Sequence, residues 1–192
     1  MSNADGITDE VRKREEEYFR RKDRELIERM RQSAASADIR KGLESATGIH
    51  DAESLKDLEA LGFTPNTITL LPLMPVLQVA WAEGSVSTAE REMIVSLARA
   101  RDIAPGSDAD QKLQAWLERP PSDETFRKAG RLIAAMLDHP EGAELQIDAN
   151  DLITYCEQIA HASGGLFGYG SVSAQEKAAL QQIAAQLKQR QA

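Results

Sequence analysis

Two heptapeptides, GSVSTAE at 84–90 and GSVSAQE at 170–176, share five of their seven residues. Each sets a serine three residues before a glutamate, the spacing of a capping box. The hydroxyl of Ser87 can accept from the amide of Glu90, and the Glu90 carboxylate can accept from the amide of Ser87. Ser173 and Glu176 repeat the arrangement. Val86 and Val172 stand one residue before each cap, where a hydrophobic staple belongs. The preceding glycines, Gly84 and Gly170, permit a sharp reversal of the chain. The sequence therefore predicts two helical hairpins, each closing on a helix that starts at a serine.

The remaining periodicity is helical, and no stretch alternates apolar and polar residues long enough to read as a strand. DAESLKDLEALG (51–62) is predicted as a helix capped by Asp51 and stopped by Gly62. In TITLLPLMPVLQVAWAEG (67–84), prolines three apart fit a helix that begins near Pro72 and holds both in its first turn. Leu73, Val76, Leu77, Ala80 and Trp81 then form a wide apolar face. Further helices are expected at about 88–101, 108–118 and 123–138, from Asn150 or Asp148 to about 162, and at about 174–189. The fold class is all-α: a compact bundle of helical hairpins.

Residues 8–33 form a long, charged helix with Thr8 as a candidate N-cap. Opposite charges recur at helical spacing in Glu16–Arg20, Glu17–Arg21 and Glu25–Arg29. Val11, Tyr18, Phe19, Leu26, Ile27 and Met30 make a thin stripe, narrower than the face of a core helix. The expected organisation is an exposed charged helix over 1–34, a looser connector with short helices over 35–62, and the bundle over 63–192.

Composition narrows the function. The net charge is −8, and residues 1–34 are neutral, so all of it falls on the rest of the chain. An acidic surface repels phosphate, which argues against nucleic-acid binding. The longest apolar run, 67–82, contains two prolines and falls short of the roughly 20 residues of a membrane span. No leader is visible at the charged N-terminus, so a cytoplasmic protein is expected. The single cysteine, Cys156, excludes an intrachain disulfide. Cys156 sits at the inward spacing of its helix, and His50, His139 and His161 are scattered. GGLFGYG (164–170) follows no strand and so lacks the context of a phosphate loop. No catalytic constellation emerges, and a non-enzymatic protein is expected.

Two resemblances sharpen these expectations. LQVAWAEGSVSTAEREMIVSLA, with CEQIAHASGGLFGYGSVSAQEKAALQQIAAQL, resembles the TerB-like family, named for tellurite resistance protein B, over about residues 60–190. That resemblance implies an all-α module linked to stress and tellurite resistance. It also implies acidic residues at the hairpin turns that hold a divalent cation, Ca²⁺ or Mg²⁺. By position those residues are Glu83, Glu90 and Glu176. The usual Asp-Gly is Glu-Gly here, and the second hairpin has no aspartate. Three glutamates, two of them capping groups, are few for a cation that takes about six to eight oxygens.

REEEYFRRKDRELIERM resembles the inhibitory helix of the mitochondrial ATP synthase inhibitor protein. It implies insertion of an amphipathic helix into a partner's groove, with Tyr18, Phe19 and Arg20 as contacts. More generally, Tyr18, Phe19, Arg20 and Leu26 are the expected partner-binding residues. The partner is expected to be a protein, and a homo-oligomer is also compatible with the sequence.

Overall fold

In a computed structural model, residues 4–138, 145, 147–162 and 172–188 are described. Among them are eight α-helices and no strand: α1 (Ala4–Thr47), α2 (Ala52–Ala60), α3 (Met74–Ala80), α4 (Thr88–Ala100), α5 (Asp108–Glu118), α6 (Asp123–Asp138), α7 (Ala149–Ala162) and α8 (Ala174–Lys188). The chain divides into two units, Met1–Ile39 and Arg40–Ala192. His139, Gly170 and the GGLFGYG segment lie outside the described residues, as does the side chain of Val11.

Two expectations about α1 are corrected. Thr8 lies within the helix, which begins at Ala4, and residues 35–47 are helical where a looser connector was expected. The stretch ASADIRKGLESAT holds no proline, and its one glycine, Gly42, weakens a helix without breaking it as proline does. The stop comes at Gly48, whose φ of 68° is the left-handed conformation that glycine adopts without strain. Its amide donates to the carbonyl of Glu44 at 2.9 Å.

The second unit is built around α3. Met74, Pro75, Val76, Leu77, Val79 and Ala80 are all buried, so six of its seven residues face protein. It packs on α4, α6, α7 and α8 and on a 3₁₀ helix at Ile68–Leu73. That 3₁₀ helix corrects the predicted helix start. Pro72 lies inside the 3₁₀ segment, and only Pro75 occupies the first turn of α3. Trp81 follows α3 as its C-cap and is half-buried.

Leu58, Phe63, Leu71, Ile94, Leu113, Ile133, Leu152, Cys156 and Ile159 complete a continuous apolar core. At about 1.5–3 kcal/mol for each large side chain removed from water, this burial is the main force holding the unit together. Polar struts then fix the loops. The indole of Trp81 donates to the carbonyl of Trp116 at 2.9 Å, and Arg91 donates to that of Leu117 at 2.6 Å. Together they satisfy carbonyls at the end of α5 that have no intrahelical partner. Lys112 donates to the carbonyls of Leu61 and Gly62 and lies over the rings of Phe63 and Trp116, at 4.8 and 5.1 Å. Burial holds its ammonium pKa below the ordinary value.

Candidate functional site

Two places carry the functional expectations, one in each unit. In the first, α1 presents its stripe to solvent. Tyr18, Phe19, Leu26, Ile27 and Met30 are each between 48% and 64% exposed. The rings of Tyr18 and Phe19 pack edge to face at 5.8 Å. Arg21 and Lys22 lie over the Tyr18 ring at 5.7 and 5.8 Å. Arg20 pairs with Glu16 at 3.9 Å, as expected, and Lys22 meets Glu25 at 3.5 Å. Such exposed pairs hold the helix together only weakly, at about 0.2–0.5 kcal/mol each. The four residues expected to bind a partner therefore share one helical segment, with both rings and Leu26 accessible.

In the second unit, both predicted capping boxes form. The Ser87 amide donates to Glu90 Oε2 at 2.7 Å, and the Glu90 amide to Ser87 Oγ at 3.3 Å. The Ser173 amide donates to Glu176 Oε2 at 2.8 Å, and the Glu176 amide to Ser173 Oγ at 3.1 Å. Gly84 turns the first hairpin with a φ of 84°. The boxes bury their carboxylates: Glu90 is 3% and Glu176 2% exposed. Burial raises the Glu90 pKa above its ordinary value, and the charges of Glu176 and Glu83 raise it further. The hydrogen bonds from Ser87 act in the opposite direction.

The fold thus brings the two capping glutamates within electrical reach of each other. Glu83 stays exposed at the turn. Among the described residues, no group of three or more His, Cys, Asp or Glu side chains is arranged to hold a metal ion. Each capping carboxylate already gives one oxygen to a serine amide, which is poor chemistry for a hard cation that needs many oxygens.

A cleft of about 860 Å³ opens beside the first turn, lined among others by Trp81, Gly84, Pro121, Phe126, Ala178 and Gln182. Asp123 and Arg127 are the charged residues of its lining, which contains neither histidine nor cysteine. Elsewhere, His50 Nδ1 lies 2.7 Å from Glu44 at the surface, and His161 is exposed near the end of α7. Cys156 is buried, and burial pushes its thiol pKa up to about 12, with the Glu157 charge adding to the effect. A thiol so protonated is a poor nucleophile.

Sequence reasoning missed the electrical proximity of Glu90 and Glu176 and the Arg99–Asp110 pair. Arg99 donates to Asp110 Oδ1 at 2.6 Å and to the carbonyl of Ile103 at 2.6 Å. The repeated heptapeptide was a signal for the first, since two like helix starts invite the question whether they lie near each other. No local pattern announced the second.

No family model, curated protein or solved structure matches the chain. The likeness to TerB-like proteins rests on the residues quoted for it. No described helix is long and apolar enough to cross a membrane.

Proposed function

We propose that this chain is a non-enzymatic interaction protein: a helical bundle of TerB-like character whose N-terminal helix captures a protein partner through Tyr18, Phe19, Arg20 and Leu26. One observation carries the reading. Five large apolar side chains stand between 48% and 64% exposed along one helix. Exposed apolar groups gathered on one element mark a binding surface more often than scattered ones do. An aromatic pair beside an arginine is also the composition that dominates binding hot spots. A narrower form of the reading is an inhibitor that inserts this helix into a groove, for which Tyr18-Phe19-Arg20 would supply the anchors. The buried, protonated thiol of Cys156 and the lining of the cleft support a role without catalysis.

The test is affinity capture with the full chain and with Phe19→Glu/Leu26→Glu. Burying each side chain in a partner is worth about 1.5–3 kcal/mol, so the double variant should weaken capture on the order of 100-fold or more. Its unfolding temperature should match the parent's, because both positions are exposed. Retention of the same partners by the double variant would overturn the reading.

A further inference from the structure

We propose that Met30 is a modification site, at which oxidation by a hydroperoxide switches the stripe off as a binding surface. The inference rests on the preceding reading, that the stripe captures a partner, and names how that capture is regulated. It holds whatever protein covers the stripe.

Exposure singles this residue out. Of the methionines among the described residues, Met74 is 1% and Met136 3% exposed, Met93 is half-buried, and Met30 is 64% exposed. Cys156, which could compete for an oxidant as a thiolate, is buried and protonated. The local sequence keeps Met30 open. Helical side chains lean toward the N-terminus of their helix, so cover for Met30 would come from Ser33 and Ala34, one turn further on. Both are exposed, and both are too short to fold over a thioether. One turn earlier stand Leu26 and Ile27, exposed as well. At 3.6 residues per turn, Met30 falls between these two around the helix. Its sulfur therefore belongs to the apolar face that a partner must bury.

The chemistry is a two-electron oxygen transfer. The thioether sulfur attacks the terminal oxygen of the hydroperoxide, an S–O bond forms and the O–O bond breaks. Sulfur is oxidised to the sulfoxide and the peroxide is reduced. The proton passes to the departing oxygen, which leaves as an alcohol, or as water when the oxidant is hydrogen peroxide. The product sets a polar, chiral group where an apolar one stood. A surface that fits the thioether then buries that oxygen without a donor, which opposes binding. The core is spared, because Met74 and Met136 are enclosed in protein. Sulfoxide reduction by a thiol-dependent reductase returns the thioether, so the device is reversible.

Hydrogen peroxide is the probe. The full chain is treated, the peroxide is removed, and sulfoxide is located by peptide mass mapping. Met30 should be oxidised about tenfold or more faster than Met74 or Met136, since oxidation follows exposure. Affinity capture by the treated chain should weaken about tenfold or more, and methionine sulfoxide reductase should restore it. Met30→Leu keeps the face apolar and forms no sulfoxide, so its capture should be equal before and after treatment. Oxidation of Met30 no faster than that of Met74 and Met136 overturns the proposal. So does full capture by the oxidised chain, a loss that reduction fails to restore, or the same proportional loss in treated Met30→Leu. If Phe19→Glu/Leu26→Glu loses capture while the oxidised parent keeps it, the regulation falls and the interaction reading stands. If the double variant captures as the parent does, both fall.

Discussion

Glu90 is held in the fold against its own charge. It caps α4 through Ser87, yet it is buried and feels Glu176 and Glu83, so its pKa is raised above the ordinary 4.5. Between that value and the raised one, the folded chain binds a proton that the unfolded chain has lost. Stability therefore falls as pH rises through this window. Glutamine can still accept from the Ser87 amide. Glu90→Gln should flatten this part of the stability–pH curve and unfold at the same or a higher temperature at neutral pH. Glu90→Ala, which loses the cap, should cost about 0.5–2 kcal/mol in chemical denaturation.

Asp110 is the opposite case. It accepts from the Gly106 amide at 2.8 Å and from Arg99, which together hold its pKa below the ordinary 3.8. Its contribution is fully present above that value and is lost as pH falls through the folded pKa. Asp110→Ala should cost about 1.5–3 kcal/mol near neutral pH and remove that acid limb. The caps were legible because a capping box is chemistry between residues three apart. The coupling of Glu90 to Glu176 was not, because it arises only when two distant helix starts are folded together.

At the scale of elements, the helices announced themselves through periodicity and their ends through glycine and serine. The stop at Gly62 is a Schellman motif, with the amides of Gly62 and Phe63 donating to the carbonyls of Glu59 and Leu58 at 2.8 and 3.0 Å. The start of α3 was harder to read. Proline is compatible with both a 3₁₀ segment and a first α-turn, so local rules could not decide between them. Two backbone positions make separate tests. Asp102 ends α4 at a φ of 60°, where a side chain is strained. Asp102→Gly should raise stability by about 0.5–1 kcal/mol in thermal unfolding. Gly42 lies inside α1, where alanine would ordinarily gain about 1 kcal/mol. A Cβ there would run into the ring of Pro65. Gly42→Ala should therefore destabilise, because overpacking costs about 1–3 kcal/mol. A rise in melting temperature would contradict the close packing of α1 on that ring. The sequence could not show this, since the two residues are joined only by the tertiary fold.

For the whole molecule, the all-α class and the exposed charged helix were readable from the chain. The first follows from the helical period of the apolar residues, the second from how thin their stripe is along residues 8–33. The extent of α1 was not, because a charged helix with no breaker carries no sign of where its exposed part ends. The cation implied by the TerB-like resemblance also has a test at this scale. A ligand that binds only the folded state must raise its melting temperature. With one oxygen of each capping glutamate already engaged and Glu83 exposed, Ca²⁺, Mg²⁺ and chelator should each leave the melting temperature unchanged. A rise with either ion would assign these glutamates a ligand role.

The central claim is that the chain joins a core that buries its own apolar surface to a helix whose apolar stripe is left for a partner. Amide hydrogen exchange on the full chain, dilute and alone and then in the presence of its partner, tests this most directly. The account predicts strong protection of residues 152–159 in both states. Residues 14–33 should exchange at the rate of an isolated helix when free and be slowed when the partner is bound. Protection of residues 14–33 equal to that of 152–159 in the dilute free chain would contradict it.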